Sequence, residues 1–275
     1  MALNPADVKI AEFTLIANMM LTLPASPGMN FYGPVAATGS SVDDFRLGNM
    51  VFGKHPNLKK FGALAQYTVA DASVCCHAPP SLDPIQAPGL GTAALTAYQC
   101  IVPFVSAGCN VFINGGSGGR ICEELGADAV IDYRIYDVTK SLVDEGQVYD
   151  LVVDNVGSPL DLYKKSHPYM KPAGRYIQIA SATFSQNINS AKNYLLPSFL
   201  GGGKRRFQFL ICKTSRKDME KVAVMAEHGE FFVVVEDVFQ FSDAVKAIQR
   251  LKTGRAKGKI IIKVLEGFGA IAIGD

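Results

Sequence analysis

The feature that most constrains the fold of this chain is a short apolar segment followed at once by a run of glycines. Residues 111–114, VFIN, predict a buried strand. Directly after it come Gly115, Gly116, Ser117, Gly118 and Gly119. A strand that passes through glycines into a helix brings backbone N–H groups close to a phosphate. The segment indicates a nucleotide-binding α/β domain, and a flexible turn is the alternative that stays open.

The residues after the glycines are too few for a complete βαβ unit. The only helix that fits is residues 120–125, ended by Gly126, and residues 129–133 (AVIDY) predict the next strand. A βαβ unit normally takes about 30 residues or more, whereas this crossover is close to the lower limit of about a dozen. Ile121 stands where the G-x-G-x-x-G pattern has its third glycine. On spacing alone, Asp132 would be the acid that binds a ribose.

Four segments together resemble one protein family. They are VFINGGSGG (111–119), ELGADAVIDYR (124–134), YDLVVDNVGS (149–158) and PAGRYIQIA (172–180). This set resembles the medium-chain dehydrogenase/reductase superfamily, in particular its zinc-independent branch of quinone oxidoreductases and enoyl reductases. In that family a full helix and a second strand separate the glycine loop from ELGAD, and this chain lacks both. The resemblance moves Asp132 to the third strand, and it implies that the strand which recognises the adenosine ribose is missing.

The resemblance implies an α/β fold in two domains. Residues 89–228 would form a truncated, Rossmann-like parallel sheet domain that binds the cofactor. A mainly β, GroES-like catalytic domain would take residues 1–88 and 229–275. Relatives have an opening hairpin before the segment that matches residues 3–10, so we expect edge strands of the catalytic domain to be missing.

Apolar runs that alternate with helices predict the elements of the cofactor domain. Residues 111–114, 129–132, 151–154 and 176–179 are the predicted parallel strands. Helices are predicted over residues 159–170 and 218–227 in this domain, and over 243–251, capped by Ser242, in the catalytic domain. The segment 266–275 has no predicted role.

The resemblance also assigns roles to individual residues. LNPADVKI at residues 3–10 is similar to the family's NPxDxK signature, which implies that Lys9 lies near substrate. Thr96, in the helix that begins within GTAALTAY (residues 91–98), is its implied catalytic companion. The implied cofactor-binding residues are Asn4, Asp7, Gly115, Gly116, Ser117, Gly118, Gly119, Asn155, Gly157 and Lys259. A surface lysine and ordinary helix packing are the respective alternatives for Lys9 and Thr96.

These roles define one principal function and two alternatives. The principal one is an NADPH-dependent oxidoreductase that reduces enones, quinones or enoyl thioesters by hydride transfer. The first alternative is a catalytically inactive remnant, because two family segments are missing. The second is a self-associating scaffold that uses the apolar edge strand from Phe207 to Ile211, which is also the candidate homodimer contact.

Composition narrows the possible partners, location and metal content of the protein. The net charge is +2 and the only basic cluster is residues 204–206, which argues against nucleic acid as a partner. No run of about 18 apolar residues predicts a membrane span, and the sequence starts without a signal core, so a cytoplasmic location is expected. The six cysteines form no C-x-x-C pair. The prediction is therefore no zinc.

Overall fold

A computed structural model describes residues 1–12, 22, 24–56, 62–116, 119–179, 184–196, 200, 202–264 and 270–274 of the 275-residue chain. The chain divides into two compact units. One is Met1–Tyr98 with Lys213–Asp275, and the other is Gln99–Cys212. The α/β fold is confirmed, because one unit holds a wholly parallel sheet and the other is mainly β.

The elements are numbered here in chain order. The strands are β1 (Asn30–Thr38), β2 (Met50–Lys54), β3 (Tyr67–Asp71), β4 (Cys75–His77), β5 (Val111–Asn114), β6 (Tyr149–Asp154), β7 (Met170–Gln178), β8 (Arg206–Phe209), β9 (Val235–Gln240), β10 (Lys259–Lys263) and β11 (Ala270–Gly274). The helices are α1 (Pro5–Glu12), α2 (Ala93–Ile101), α3 (Gly119–Glu124), α4 (Val138–Glu145), α5 (Phe184–Leu195), α6 (Arg216–Glu227) and α7 (Ala244–Lys252).

The larger sheet of the first unit has the strand order β3-β11-β1-β2-β4. β11 lies between β1 and β3 and is parallel to both. Its Ile271 and Ile273 are buried in the core of this unit. The segment around 270–274, for which the sequence predicted no role, is thus an inner strand. Its alternating AIAIG pattern was the signal for a strand with one buried face.

The chain start connects this sheet to a second pair of strands. β9 and β10 pair in parallel, and Ala2 forms bridges to both Asn30 and Ile261. The backbone N–H of Leu3 donates to the carbonyl of Ile260 at 2.9 Å. Residues 1–3 therefore lie between β10 and β1.

The sheet of the second unit has the order β5-β6-β7-β8, with all neighbours parallel. Successive residues of β6 face opposite sides of the sheet. Val152 belongs to one buried cluster with Tyr169 and Tyr176. Leu151 and Val153 belong to another, on the opposite face. Burial on both faces explains why these strands are continuous apolar runs.

Four predicted elements of the chain are different in the structure. Residues 129–132 form no strand, and residues 159–169 form turns rather than a helix. β7 begins at Met170 and runs through the predicted exit, with a register shift opposite β6. α7 begins at Ala244 after a 3₁₀ turn, without a side-chain cap from Ser242. The helix predicted from residue 218 is confirmed as α6, which begins earlier because Ser215 caps it.

Candidate cofactor site

The glycine loop follows β5, as the sequence predicted. Gly115 has φ +99°, and a Cβ added to it would lie 2.3 Å from a methyl carbon of Val156. A Cβ on Gly116 would lie 2.7 Å from the Cys122 sulfur. Only glycine fits this path without displacing a neighbour. Ser117 and Gly118 lie outside the described residues, and Gly119 begins α3.

A second loop stands beside the glycines, and Asp154 holds it. Asp154 is buried at the end of β6. Its Oδ1 accepts hydrogen bonds from the backbone N–H of Gly157 at 2.8 Å and of Val156 at 3.1 Å. The Asn114 amide donates to the same oxygen at 2.8 Å. This carboxylate therefore ties the carboxyl end of β5 to the loop after β6.

The other oxygen of Asp154 reaches the next strand. The Tyr176 hydroxyl, on β7, donates to Oδ2 at 2.7 Å. Burial, together with the nearby Asp154 charge, raises the pKa of Tyr176 well above its ordinary value. Neither Asp154 nor Tyr176 was among the predicted site residues. An acid that ends the apolar run YDLVVD was the available signal for Asp154.

Four predicted cofactor residues come together at this edge of the sheet. The Cβ position of Gly115 is 3.4 Å from the Cβ of Asn155. Asn155 is exposed and donates its backbone N–H to the Asn114 carbonyl at 3.0 Å. Gly157 has φ +71°. With Gly116 they lie at the carboxyl ends of β5 and β6, where ligands of parallel sheets bind. Three of the four are glycines, whose backbone carries no side chain, and this is the chemistry that a pyrophosphate-binding loop needs.

Among the described residues, the part of the site that would bind the adenosine ribose lacks the long helix and the unpaired acid that such a site needs. α3 has only six residues. Asp132 lies in an irregular segment, where its carboxylate accepts from the Arg134 guanidinium at 2.9 Å. Hydrogen bonds from Arg134 lower the pKa of Asp132 to about 2. The two charges neutralise each other at the surface, so neither is free to bind a ribose or a phosphate without breaking this pair.

In the first unit, three more predicted residues contact one another. Lys259 Nζ donates to Asn4 Oδ1 at 2.5 Å. Asp7 Oδ2 accepts the Asn4 backbone N–H at 2.6 Å, and Pro5 begins α1 between them. This is the carboxylate half of a capping box, with proline at the first helical position. Burial lowers the pKa of Lys259 to about 8, and the Asp7 charge opposes that shift.

The two predicted catalytic residues lie on separate helices of this unit. Lys9 is exposed on α1. Thr96 is half-buried on α2, where its backbone N–H donates to the Thr92 carbonyl at 2.9 Å. Thr92 in turn donates its hydroxyl to Asn30 Oδ1 at 2.5 Å. The Asn30 amide nitrogen is buried and has no hydrogen-bond partner among the described residues.

Two features are not found in the part of the chain that the structure describes. It contains no group of three or more His, Cys, Asp or Glu side chains arranged to hold a metal ion. Within the same residues, no helix combines the length and apolar character needed to cross a membrane.

Comparison with known proteins gives a consistent result. Residues 1–80 match the alcohol dehydrogenase GroES-like domain family, and residues 125–262 match the zinc-binding dehydrogenase family. The chain is 38% identical to the trans-enoyl reductase pgmF of Aspergillus terreus, over 96% of this chain and 84% of that protein. It is 26% identical to the chloroplastic quinone-oxidoreductase homolog of Spinacia oleracea, over 95% and 86%.

Solved structures show the same fold. The quinone oxidoreductase from Coxiella burnetii superposes with a TM-score of 0.74 at 24% identity, over 96% of this chain and 88% of that one. The pgmF alignment is longer than the part of this chain that it includes. It runs over 300 positions but includes 96% of a 275-residue chain, so about 36 of its positions have no counterpart here.

Proposed function

Since the chain belongs to the medium-chain dehydrogenase/reductase superfamily of oxidoreductases, we propose that it is an NADPH-dependent reductase of activated carbon–carbon double bonds or quinones. The observation that carries the proposal is that the glycine turn after β5 and the Asp154-held loop after β6 lie side by side at the carboxyl ends of two parallel strands. The name of the relative pgmF supports an enoyl group as the substrate class.

The second unit would bind the cofactor. The glycine loop, including Gly115 and Gly116, would hold the pyrophosphate, because backbone without side chains allows close approach. Asn155 and Gly157 would contact the nicotinamide half, on the loop that Asp154 fixes. A bound nicotinamide supplies the hydride that such a reduction needs.

The first unit would bind the substrate. Lys9 is an exposed cation and Thr96 carries a hydroxyl, and both can donate a hydrogen bond to a carbonyl oxygen. Donors placed where negative charge develops stabilise an enolate-like transition state. Lys259, Asn4 and Asp7 fix the start of α1, which carries Lys9.

We further propose that this chain binds NADPH weakly. The six-residue α3 and the missing second strand remove contacts to phosphate and ribose, and each charged hydrogen bond lost costs about 1.5–3 kcal/mol. Two or three such losses weaken affinity by roughly 10²- to 10⁶-fold. With a parent in the micromolar range, the expected dissociation constant is about millimolar or weaker. Arg134 does not compensate, since Asp132 already pairs with it.

Calorimetric titration with NADPH tests the affinity. A matched variant would carry a helix and a strand inserted between Gly119 and Arg120 to complete the βαβ unit, and it should bind about a thousandfold more tightly. Gly116→Val in that variant should abolish the gain, because its side chain would meet Cys122. A micromolar dissociation constant for the unmodified chain would disprove the proposed weakness.

Turnover is tested separately, by NADPH oxidation with an enone, a quinone and an enoyl thioester. With NADPH in excess of its dissociation constant, the unmodified chain should reduce at least one of them, and Lys9→Ala and Thr96→Ala should lower its rate. If the unmodified chain reduces none of the three under these conditions, the reductase proposal fails. The inactive-remnant alternative, which the six-residue α3 favours, predicts turnover only with the insertion.

A further inference from the structure

A buried side-chain amide on β1 carries a hydrogen-bond donor that the fold does not use. Asn30 is 0% exposed, and its Oδ1 accepts the hydroxyl of Thr92 at 2.5 Å. Its Nδ2 lacks a hydrogen-bond partner among the described residues. A buried donor without an acceptor destabilises a protein, and native structures contain few of them. The Asn30 amide therefore costs stability that a neutral or apolar side chain would not.

The Asn30 side chain lies on the face of the β1–β2 pair that is turned away from the main core. Phe31, the next residue of β1, belongs to the core cluster of this unit, and successive side chains of a strand face opposite sides. The turn before α2 packs directly against Asn30. A Cβ added to Gly91 would lie 2.6 Å from the Gly53 carbonyl oxygen and 3.0 Å from Asn30 Oδ1. This close contact fixes the position of the amide group.

A buried lysine stands opposite Asn30 on β2. The antiparallel register pairs Asn30 with Lys54, and directly opposed residues share one face of the sheet, with Cβ atoms about 4.5–5.5 Å apart. Lys54 is 4% exposed, and its Nζ donates to Thr214 Oγ1 at 3.1 Å. A charge in a buried position acts on its surroundings more strongly than one in water. An amide donor and a positive charge thus share this face.

Two threonines connect this pair to the surface and to α2. Thr92 and Thr214 are half-buried, whereas the two residues that they contact, Asn30 and Lys54, are buried. The Thr92 carbonyl accepts the backbone N–H of Thr96, so Thr96 follows one helical turn later. The pair therefore lies in the same unit as Thr96, which is proposed above to contact substrate, and next to the turn from which its helix begins.

We propose that Asn30 and Lys54 form a subsite for the carbonyl oxygen of the substrate, an inference that rests on the proposed reductase function. Asn30 Nδ2 would donate to this oxygen, and the Lys54 charge would stabilise the negative charge that develops on it. An enolate oxygen accepts more than one hydrogen bond, so the subsite acts together with Thr96 rather than in its place. Because an isolated alkene would leave Nδ2 unpaired, the subsite selects double bonds conjugated to a carbonyl.

Binding in the absence of NADPH tests the subsite separately from turnover. The probe is the S-crotonyl thioester of N-acetylcysteamine, and the matched ligand is its S-crotyl thioether, in which a CH₂ group replaces the carbonyl. In titrations followed by nuclear magnetic resonance, the unmodified chain should bind the thioester at least about tenfold more tightly than the thioether. The side-chain amide resonances of Asn30 should shift with the thioester and stay in place with the thioether.

Two variants remove the two groups one at a time. Asn30→Asp loses the donor but keeps an oxygen for the Thr92 hydroxyl, and it should abolish the preference for the thioester. Lys54→Met loses the charge and keeps an apolar side chain, and it should weaken thioester binding about tenfold. Asn49→Asp is the matched control in the same unit, because Asn49 Oδ1 likewise accepts a hydrogen bond, from the Arg46 N–H at 2.8 Å. It should leave both affinities unchanged.

The outcomes separate the subsite from the reductase proposal. Equal affinity for thioester and thioether, or unchanged thioester binding in both Asn30→Asp and Lys54→Met, would overturn the subsite and leave an ordered water as the partner of Asn30 Nδ2. If the chain reduces the thioester and Asn30→Asp changes neither its KM nor its affinity, the subsite fails while the reductase proposal stands. If the two variants weaken thioester binding but the unmodified chain never reduces it, the subsite stands without that function.

Discussion

Removal of the Asp154 carboxylate should destabilise the second unit strongly. Asp154 is 2% exposed and accepts four hydrogen bonds, from Asn114, Val156, Gly157 and Tyr176. In Asp154→Ala, the donors most deeply buried are the Tyr176 hydroxyl and the Gly157 N–H, and both lose their acceptor. An orphaned buried donor costs about 1–3 kcal/mol.

The expected loss is about 3–5 kcal/mol, because two orphaned donors and a small cavity add together. That is a large fraction of the roughly 5–15 kcal/mol by which a domain is stable. Asp154→Asn is the matched control. It keeps one oxygen for Asn114 and Gly157, and the Tyr176 hydroxyl can turn to accept from the new amide. Its cost should be about 1–2 kcal/mol, from the lost charge on the remaining bonds.

Urea titration followed by near-ultraviolet circular dichroism measures these losses. The chain has no tryptophan, and Tyr163, Tyr169 and Tyr176 are packed together in the second unit. The tyrosine signal therefore reports largely on the unit that contains Asp154. Tyr176→Phe should lose about 1 kcal/mol, since it removes one of the four bonds. If Asp154→Ala and Asp154→Asn lose the same free energy of unfolding, within about 0.5 kcal/mol, the hydrogen-bond reasoning is refuted.

Three further predictions concern other parts of the molecule. Burial lowers the pKa of His55 to about 4, below its ordinary 6.5, so the unfolded chain binds the extra proton and stability falls as pH drops from 6.5 towards 4. Urea titrations should show that His55→Gln removes about 3 kcal/mol of the pH-dependent part of the unfolding free energy. An unchanged dependence of that free energy on pH would contradict this. Gly53→Ala should lose about 2–3 kcal/mol of unfolding free energy, because its Cβ would lie 2.3 Å from the Val74 carbonyl oxygen; a loss below about 0.5 kcal/mol would mean that the sheet yields. Iodoacetamide at neutral pH should label the three partly exposed thiols and spare the buried thiols of Cys75, Cys76 and Cys100. Burial raises the pKa values of these three to about 12, 12 and 11. Mass spectrometry measures the labelling, and equal labelling of all six thiols would contradict the packing.

The sequence predicted those elements whose partners are also in the chain. The runs around Val111, Leu151 and Tyr176 form strands because each has a neighbour that completes its hydrogen bonds. Residues 129–132 have an equally apolar pattern but pair with no strand in the part of the chain that the structure describes. The hydrophobic pattern of a segment cannot reveal that a neighbouring strand of the sheet is absent. The resemblance to the family implies such an absence between these residues and β5.

The candidate site was predictable to the same extent. The glycines and the loop of Asn155 were found because they follow apolar strands, and the structure brings them together. Asp154 was missed because its role depends on Asn114 and Tyr176, which are far from it in sequence. Side-chain hydrogen bonds between strands depend on which strands are neighbours in the sheet. The periodicity of apolar residues in the sequence does not give that order.

The position of β11 has a consequence for the order in which the chain can fold. β1 and β3 are complete once residue 71 has been made, yet the strand that separates them is residues 270–274. The contacts of Val35 with Ile271 and of Thr68 with Ile271 span about 200 residues or more. Loop closure over such distances slows folding. During synthesis, β1 and β3 of the first unit therefore stay unpaired until β11 has been made. The parallel sheet of the second unit precedes β11 in the chain and can form before that.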